Sequence, residues 1–147
     1  MKAYFDTNVL VAAVQPDHVH HSGSFAAYVG VTKGEIAGHI ASQSLAELYS
    51  VLTRAPFRVP VTPQEILALI QNSIVPHFTI VDVTTGSYLA AIAACANAGW
   101  RGGRIHDMVH IQAAAQAKCD RIYTYDLAHF QALAPDWGDR IQSPPRA

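Results

Sequence analysis

Short apolar, β-prone segments alternate with helical segments along this chain, and that alternation constrains the fold more than any other feature. Residues 2–5 (KAYF) are a predicted buried strand that stops at Asp6, and residues 9–14 start a helix that Pro16 interrupts. A helix follows over 20–32, with Phe25, Tyr28, Val29 and Thr32 at helical spacing. Gly34 and Gly38 punctuate the turn into a second strand at 39–41. Ser42 or Ser44 can cap the next helix, which carries Leu45, Leu48, Tyr49 and Leu52 on one face and ends before Pro56. Thr62-Pro63-Gln64-Glu65 reads as a capping box, opening a helix that runs to Pro76. Residues 78–83 form a third strand; a helix from Thr84 or Thr85 runs to Ala98, with Gly99 just past its end. After a glycine-bearing loop at 100–104, Asp107 falls in the first turn of a helix reaching about residue 118. Residues 121–125 are a fourth strand ending at Asp126, 127–133 a short helix, 140–142 an edge strand, and 143–147 a frayed tail. Strands that alternate with helices predict an α/β chain with a parallel sheet covered on both faces, and the 147 residues are expected to form one domain.

Half of the residues are hydrophobic and 14% are charged, which excludes a disordered chain. No apolar run approaches the roughly 18–20 residues needed to span a bilayer. The opening MKAYFDTNVL meets Asp6 and has no signal-like apolar region, so a cytoplasmic location is expected. Cys95 and Cys119 lie in Ala-rich helical stretches without metal-binding spacing and are expected to be buried free thiols. The net charge of −1 does not suit a protein that coats nucleic acid by charge alone. Contact with a polyanion must be local, or helped by a bound cation.

The acids are where chemistry is expected. Ligands of an open parallel sheet bind beyond the carboxyl ends of its strands. Asp6 ends the first strand, Asp126 the fourth; Asp107 lies at a helix N-terminus and Glu47 near the start of the helix after strand two. If strands one and four are neighbours, all four can converge on one rim. Converging carboxylates raise each other's pKa and destabilise the fold, and a divalent cation removes that conflict. Oxygen donors select a hard ion, Mg²⁺ or Mn²⁺, over Zn²⁺. Such an ion can activate water and neutralise charge on a phosphodiester.

The segments FDTNVLVA (5–12), SLAELYSVL (44–52), HDMVHIQAA (106–114) and YTYDLAHF (123–130) together resemble the PIN-domain nucleases, and among them the VapC toxins of toxin–antitoxin pairs. The resemblance implies a three-layer α/β/α sandwich and Mg²⁺- or Mn²⁺-dependent endoribonuclease activity that leaves a 5′-phosphate and a 3′-hydroxyl. It implies that Asp6, Glu47, Asp107 and Asp126 are the catalytic acids. On that basis Asp6, Asp107 and Asp126 are the expected metal ligands, with Glu47 a further ligand or the group that orients the attacking water. Thr7, Asn8 and Thr124 match positions that support the acids through hydrogen bonds. The resemblance further implies an RNA substrate, a VapB-like antitoxin whose helix lies in an apolar groove, and a homodimer.

Other residues admit plainer accounts. Asp17, Asp82, Asp120, Asp136 and Asp139 occupy turns or element ends, where Asp is common. His18, His20 and His21 lack single-face helical spacing. His106 and His110 are four apart and could line the cleft beside Asp107, but lack the Glu of an HExxH zinc motif. Arg54, Arg58, Arg101 and Arg104 are either solvated loop charge or grips for RNA phosphates. Trp100 either stacks a base or packs in the core. A phosphatase of the haloacid-dehalogenase type would need a second Asp where Asn8 stands. A housekeeping PIN nuclease of RNA maturation and a degenerate PIN-fold binding module are the remaining alternatives.

Overall fold

The computed structural model describes residues 1–146. Five strands form one sheet in the order β3-β2-β1-β4-β5, and every neighbouring pair is parallel. They are β1 (Lys2–Phe5), β2 (Ala37–Ala41), β3 (Thr79–Val81), β4 (Arg121–Tyr123) and β5 (Ile141–Gln142). The helices are α1 (Thr7–Val14), α2 (His21–Thr32), α3 (Ser42–Leu52), α4 (Pro63–Leu69), α5 (Thr85–Ala98), α6 (Arg104–Gln116) and α7 (Leu127–Leu133). This is the expected α/β/α sandwich.

The pleat of β1 shows how the three layers arise. Successive strand residues point to opposite faces. Ala3 and Phe5 enter a core with Leu10, Ile40, Leu48, Leu52, Ile74 and Phe78, under α1–α4. Tyr4 enters the other core with Met108, Ile111, Ala114, Ile122 and Phe130, under α5–α7. β1 is central and carries apolar side chains on both faces, as a buried parallel strand must. Phe5 meets the rings of Phe78 and Tyr123 edge-on, with centroids 5.2 and 5.4 Å away. Full burial of such a side chain stabilises the fold by about 1.5–3 kcal/mol. Gly38 in β2 has no room for a side chain: a Cβ there would lie 2.8 Å from the Phe78 ring and 2.9 Å from Val31 Cγ2.

Local signals explain most helix ends. Thr62 accepts from the Glu65 amide while Glu65 reaches back to the Thr62 amide, the predicted capping box. Gly99 closes α5 in the left-handed conformation at φ 78°. Some boundaries depart from expectation. The helix expected to run to Pro76 is regular only to Leu69, and its last turn, Ile70–Ile74, is π-helical. Ser42 and Ser44 do not cap α3 in the predicted way: Ser42 Oγ accepts from the Val83 amide, and Ser44 Oγ from the Ala41 amide. β4 ends at Tyr123, two residues early, and a 3₁₀ turn at Pro135–Arg140 precedes β5. The expected fraying does not begin at Ser143: Pro144 is buried, and the Pro145 carbonyl approaches Gly23 of α2, while Pro145 and Arg146 are exposed. Ala147 lies outside the described residues. No helix is long and apolar enough to cross a membrane among the described residues.

The chain runs outward from β1 through β2 to β3, then returns to place β4 on the other side of β1. The order of winding reverses between β1 and β4. Such a switch point opens a crevice at the carboxyl edge of a parallel sheet.

Candidate active site

A cavity of about 560 Å³ lies at that edge, and Asp6, Glu47, Asp107 and Asp126 all line it, with Thr7, Asn8, His18 and His110. Four different elements bring the acids together. Asp6 is the residue between β1 and α1; its Oδ1 accepts from the Thr7 amide at 2.8 Å and caps α1. Asp107 sits in the first turn of α6, and Glu47 in the middle of α3. Asp126 precedes α7, but its carboxylate does not cap that helix. Its amide donates instead to Thr124 Oγ1 at 3.0 Å, and its Oδ2 lies 2.9 Å from His129 Nδ1.

The supporting residues each act differently. Thr124, fully buried, donates to Asp6 Oδ2 at 2.8 Å. Thr7 donates to Glu47 Oε1 at 2.8 Å. Asn8 hydrogen-bonds to no acid among the described residues: its Oδ1 accepts from the Tyr125 amide at 3.3 Å and ties the segment after β4 to α1.

His110 is the most connected side chain of the site. It is 2% exposed, and its Nε2 lies 2.7 Å from Glu47 Oε1 and 3.9 Å from Asp6 Oδ1. Its Nδ1 meets the Tyr4 hydroxyl at 2.5 Å. Gln43 donates to Glu47 Oε2 at 3.2 Å. His110, Tyr4, Gln43 and His129 were not assigned to the site from sequence beyond the suggestion that His110 lines the cleft. The usable signal was the three-residue step from Asp107 to His110, and from Asp126 to His129, which sets each pair on one helix face.

The electrostatics is that of a site under strain from its own charge. Burial raises the pKa of Asp6 above the ordinary carboxylate value, against the opposing pull of His110 and the Thr124 and Thr7 hydrogen bonds. Burial also raises Asp107, and the charges of Asp6 and Asp126 raise it further. Glu47 goes the other way: burial pushes it up, but hydrogen bonds from His110, Thr7 and Gln43 outweigh burial and hold it below the usual range. For His110, burial favours the neutral ring, yet Glu47, Asp6 and Asp107 prevail and raise its pKa. Burial holds Tyr4 well above the ordinary phenol value, so it remains a hydroxyl.

Asp6 and Asp107 thus carry negative charge at a cost, which a divalent cation would relieve. Among the described residues, donor atoms of Asp107, Asp126 and His129 lie within 4.8 Å of one another; the expected ligand Asp6 does not join that group, and His129 takes its place. The donor set fits a divalent ion. The four arginines do not line this cavity. Arg58 sits 3.4 Å from Asp17, Arg54 Nε donates to the Ser50 carbonyl, and Arg104 packs over the Trp100 ring.

Comparison with known proteins agrees with this fold. A search of the curated proteins finds no match. Among solved structures, the fold is similar to VapC20 of Mycobacterium tuberculosis, described as a toxin that cleaves the sarcin-ricin loop. The identity is 15%, the match covers 88% of this chain and 94% of that one, and the TM-score is 0.69. It is also similar to FitAcB of Neisseria gonorrhoeae (18% identity, 96% of both chains, TM-score 0.64). A third is VapBC2 of Rickettsia felis, bound to a promoter DNA fragment (17% identity, 90% and 92% covered, TM-score 0.61). The family model of the PIN domain, a family of nucleases, matches residues 3–134. The chain belongs to the PIN domain family.

Proposed function

We propose that this protein is a divalent-metal-dependent endoribonuclease and the toxin of a type II toxin–antitoxin pair. The observation that carries this reading is the convergence of Asp6, Glu47, Asp107 and Asp126 from four elements on one cavity at the switch point of the sheet. Asp6, Asp107 and Asp126 would hold Mg²⁺ or Mn²⁺. When bound, the ion supplies charge neutralisation at a phosphodiester and activation of water.

The chain's own residues do the rest. Thr124 and the Thr7 amide fix both oxygens of Asp6, so its carboxylate is aimed before any ligand arrives. Glu47 is held ionised by Thr7, His110 and Gln43, and is suited to orient a water for attack on phosphorus. A single-stranded backbone would enter from the open side of the cleft, with the scissile phosphate beside Asp107 and Asp126. RNA is favoured as the substrate because VapC20 is described as cleaving the sarcin-ricin loop.

An antitoxin partner is supported by the likeness to VapBC2 and FitAcB. A groove of about 500 Å³, lined by Val14, Phe57, Val61, Ile66 and Leu69, is apolar enough to take a helix. We also propose a homodimer, with the exposed Leu89 and Ile92 of α5 as candidate contacts. Pulsed expression of the wild type against Asp6→Asn, followed by sequencing of RNA 5′ ends, tests the activity. New ends in the wild type alone support the proposal. Identical end patterns reject it.

A further inference from the structure

Glu47 lies in the acidic cavity, yet its carboxylate is surrounded by hydrogen-bond donors. Oε1 faces Thr7 Oγ1 at 2.8 Å and His110 Nε2 at 2.7 Å, and Oε2 faces Gln43 Nε2 at 3.2 Å. A cation would have to approach Oε1 to within about 2.0–2.1 Å for Mg²⁺, with a lone pair free to receive it. That oxygen already has two partners that carry hydrogens at hydrogen-bond distance, as many as its lone pairs. The nitrogen that fills one of them is also the group that faces Asp6, 3.9 Å from its Oδ1.

His110 cannot swing aside. It is 2% exposed, and its other nitrogen is tied to the Tyr4 hydroxyl, on a strand in the middle of the sheet. The arrangement does not depend on the charge of the ring. Ionised Glu47 Oε1, 2.7 Å from Nε2, can only accept, so the neutral ring keeps its proton on Nε2 and Tyr4 then donates to Nδ1; in the charged form both nitrogens carry one. Either way Nε2 presents N–H to the gap between Glu47 and Asp6. A two-metal nuclease places a second ion about 3.5–4 Å from the first, bridged by a shared carboxylate. Here the shared carboxylate would be Asp6, and the second site would lie between Asp6 and Glu47.

We propose that His110 stands where that second ion would bind, so that the cleft takes one divalent ion, on its Asp6–Asp107–Asp126 side, and Glu47 is kept out of the coordination shell. The inference rests on the nuclease reading above. His110 is then a positioning residue: it aims Glu47 at a water rather than at a metal.

The test is a count of ions on the full chain. Mn²⁺ is titrated by calorimetry, and the loaded protein is examined by frozen-solution electron paramagnetic resonance. The wild type should bind one Mn²⁺ per chain with the spectrum of an isolated ion. Glu47→Gln should still bind one, and Asp107→Asn should bind none. His110→Ala should take up a second, weaker Mn²⁺, whereas His110→Gln, which can still donate to Glu47, should not. If His110→Ala fails to fold, the wild type and Glu47→Gln decide the matter alone. Two ions in the wild type, an exchange-coupled spectrum, or loss of an ion in Glu47→Gln would overturn this inference and leave the nuclease reading standing. No Mn²⁺ binding by the wild type would overturn both.

Discussion

Thr124 Oγ1 donates to Asp6 Oδ2 at 2.8 Å, joining residues 118 positions apart at the point where β1 and β4 leave the sheet. The same hydroxyl accepts from the Asp126 amide at 3.0 Å, so one buried side chain sets the positions of two of the four acids. Thr124→Val keeps the shape and removes both bonds. It should cost about 1–3 kcal/mol, because a buried carboxylate oxygen and an amide lose their partner. Thermal unfolding checks the stability, and the apparent affinity for Mn²⁺ should fall in the same variant. Unchanged stability and affinity would deny Thr124 this role.

The raised pKa values give the metal-free protein a pH dependence of definite sign. Asp6 and Asp107 titrate above their ordinary value, so between about pH 4 and their folded pKa the folded chain binds protons that the unfolded chain does not. His110, also raised, adds the same sign above about pH 6.5. Stability without metal should therefore fall as pH rises through this window. Glu47 is depressed, and its contribution is lost only below the window, as pH falls through its folded value. Saturating Mg²⁺ or Mn²⁺ should weaken the slope, since the cation replaces the protons. Melting temperatures measured from pH 8 to pH 5, with chelator and with metal, check this. A melting temperature without metal that rises with pH would contradict it.

Tyr4 supports catalysis at one remove. Tyr4→Phe deletes the hydroxyl on His110 Nδ1 and loosens the ring that holds Glu47. We expect kcat to fall about tenfold, equivalent to one hydrogen bond. KM should stay near the wild-type value and one Mn²⁺ should still bind, because neither Tyr4 nor His110 lies among the expected ligands. A loss confined to KM, or lost metal binding, would place Tyr4 in a different role.

The fold itself can be tested away from the site. Gly38→Ala sets a methyl 2.8 Å from the Phe78 ring, between β2 and the core under α1–α4. Overpacking of this kind costs about 1–3 kcal/mol. Chemical denaturation should show that loss, with Mn²⁺ stoichiometry unchanged.

The sheet and two of its acids were legible in the sequence for a common reason. A strand that ends in Asp, followed by a helix, places a carboxylate at the carboxyl edge whatever the details, so Asp6 and Asp126 announced themselves. Asp107 was legible through a helix start; Glu47, expected near one, lies in the middle of α3. What escaped notice depends on long-range packing. His110 was read only as a possible lining residue beside Asp107; its partners Glu47 and Tyr4 lie 63 and 106 positions away, beyond the reach of local pattern. Asn8 was expected to brace an acid but braces the Tyr125 amide, a contact across 117 residues that local pattern does not report. β4 was drawn too long because Thr124 and Tyr125 have strand-like side chains. In the fold the Thr124 amide still reaches the Gln142 carbonyl of β5, but the Tyr125 amide goes to the Asn8 side chain. The arginines were placed near the rim only through their neighbours in sequence, and the packing of Arg58 against Asp17 takes it elsewhere.

Cleavage of purified RNA by purified protein tests the central claim most directly. Wild type, Asp6→Asn and Asp107→Asn are incubated with RNA in Mg²⁺, in Mn²⁺ and in chelator, with circular dichroism to confirm that each is folded. We predict discrete cuts by the wild type with either metal, none in chelator, and a loss of at least about a hundredfold in both folded variants. Cleavage that persists in chelator, or at full rate without either carboxylate, would contradict the account.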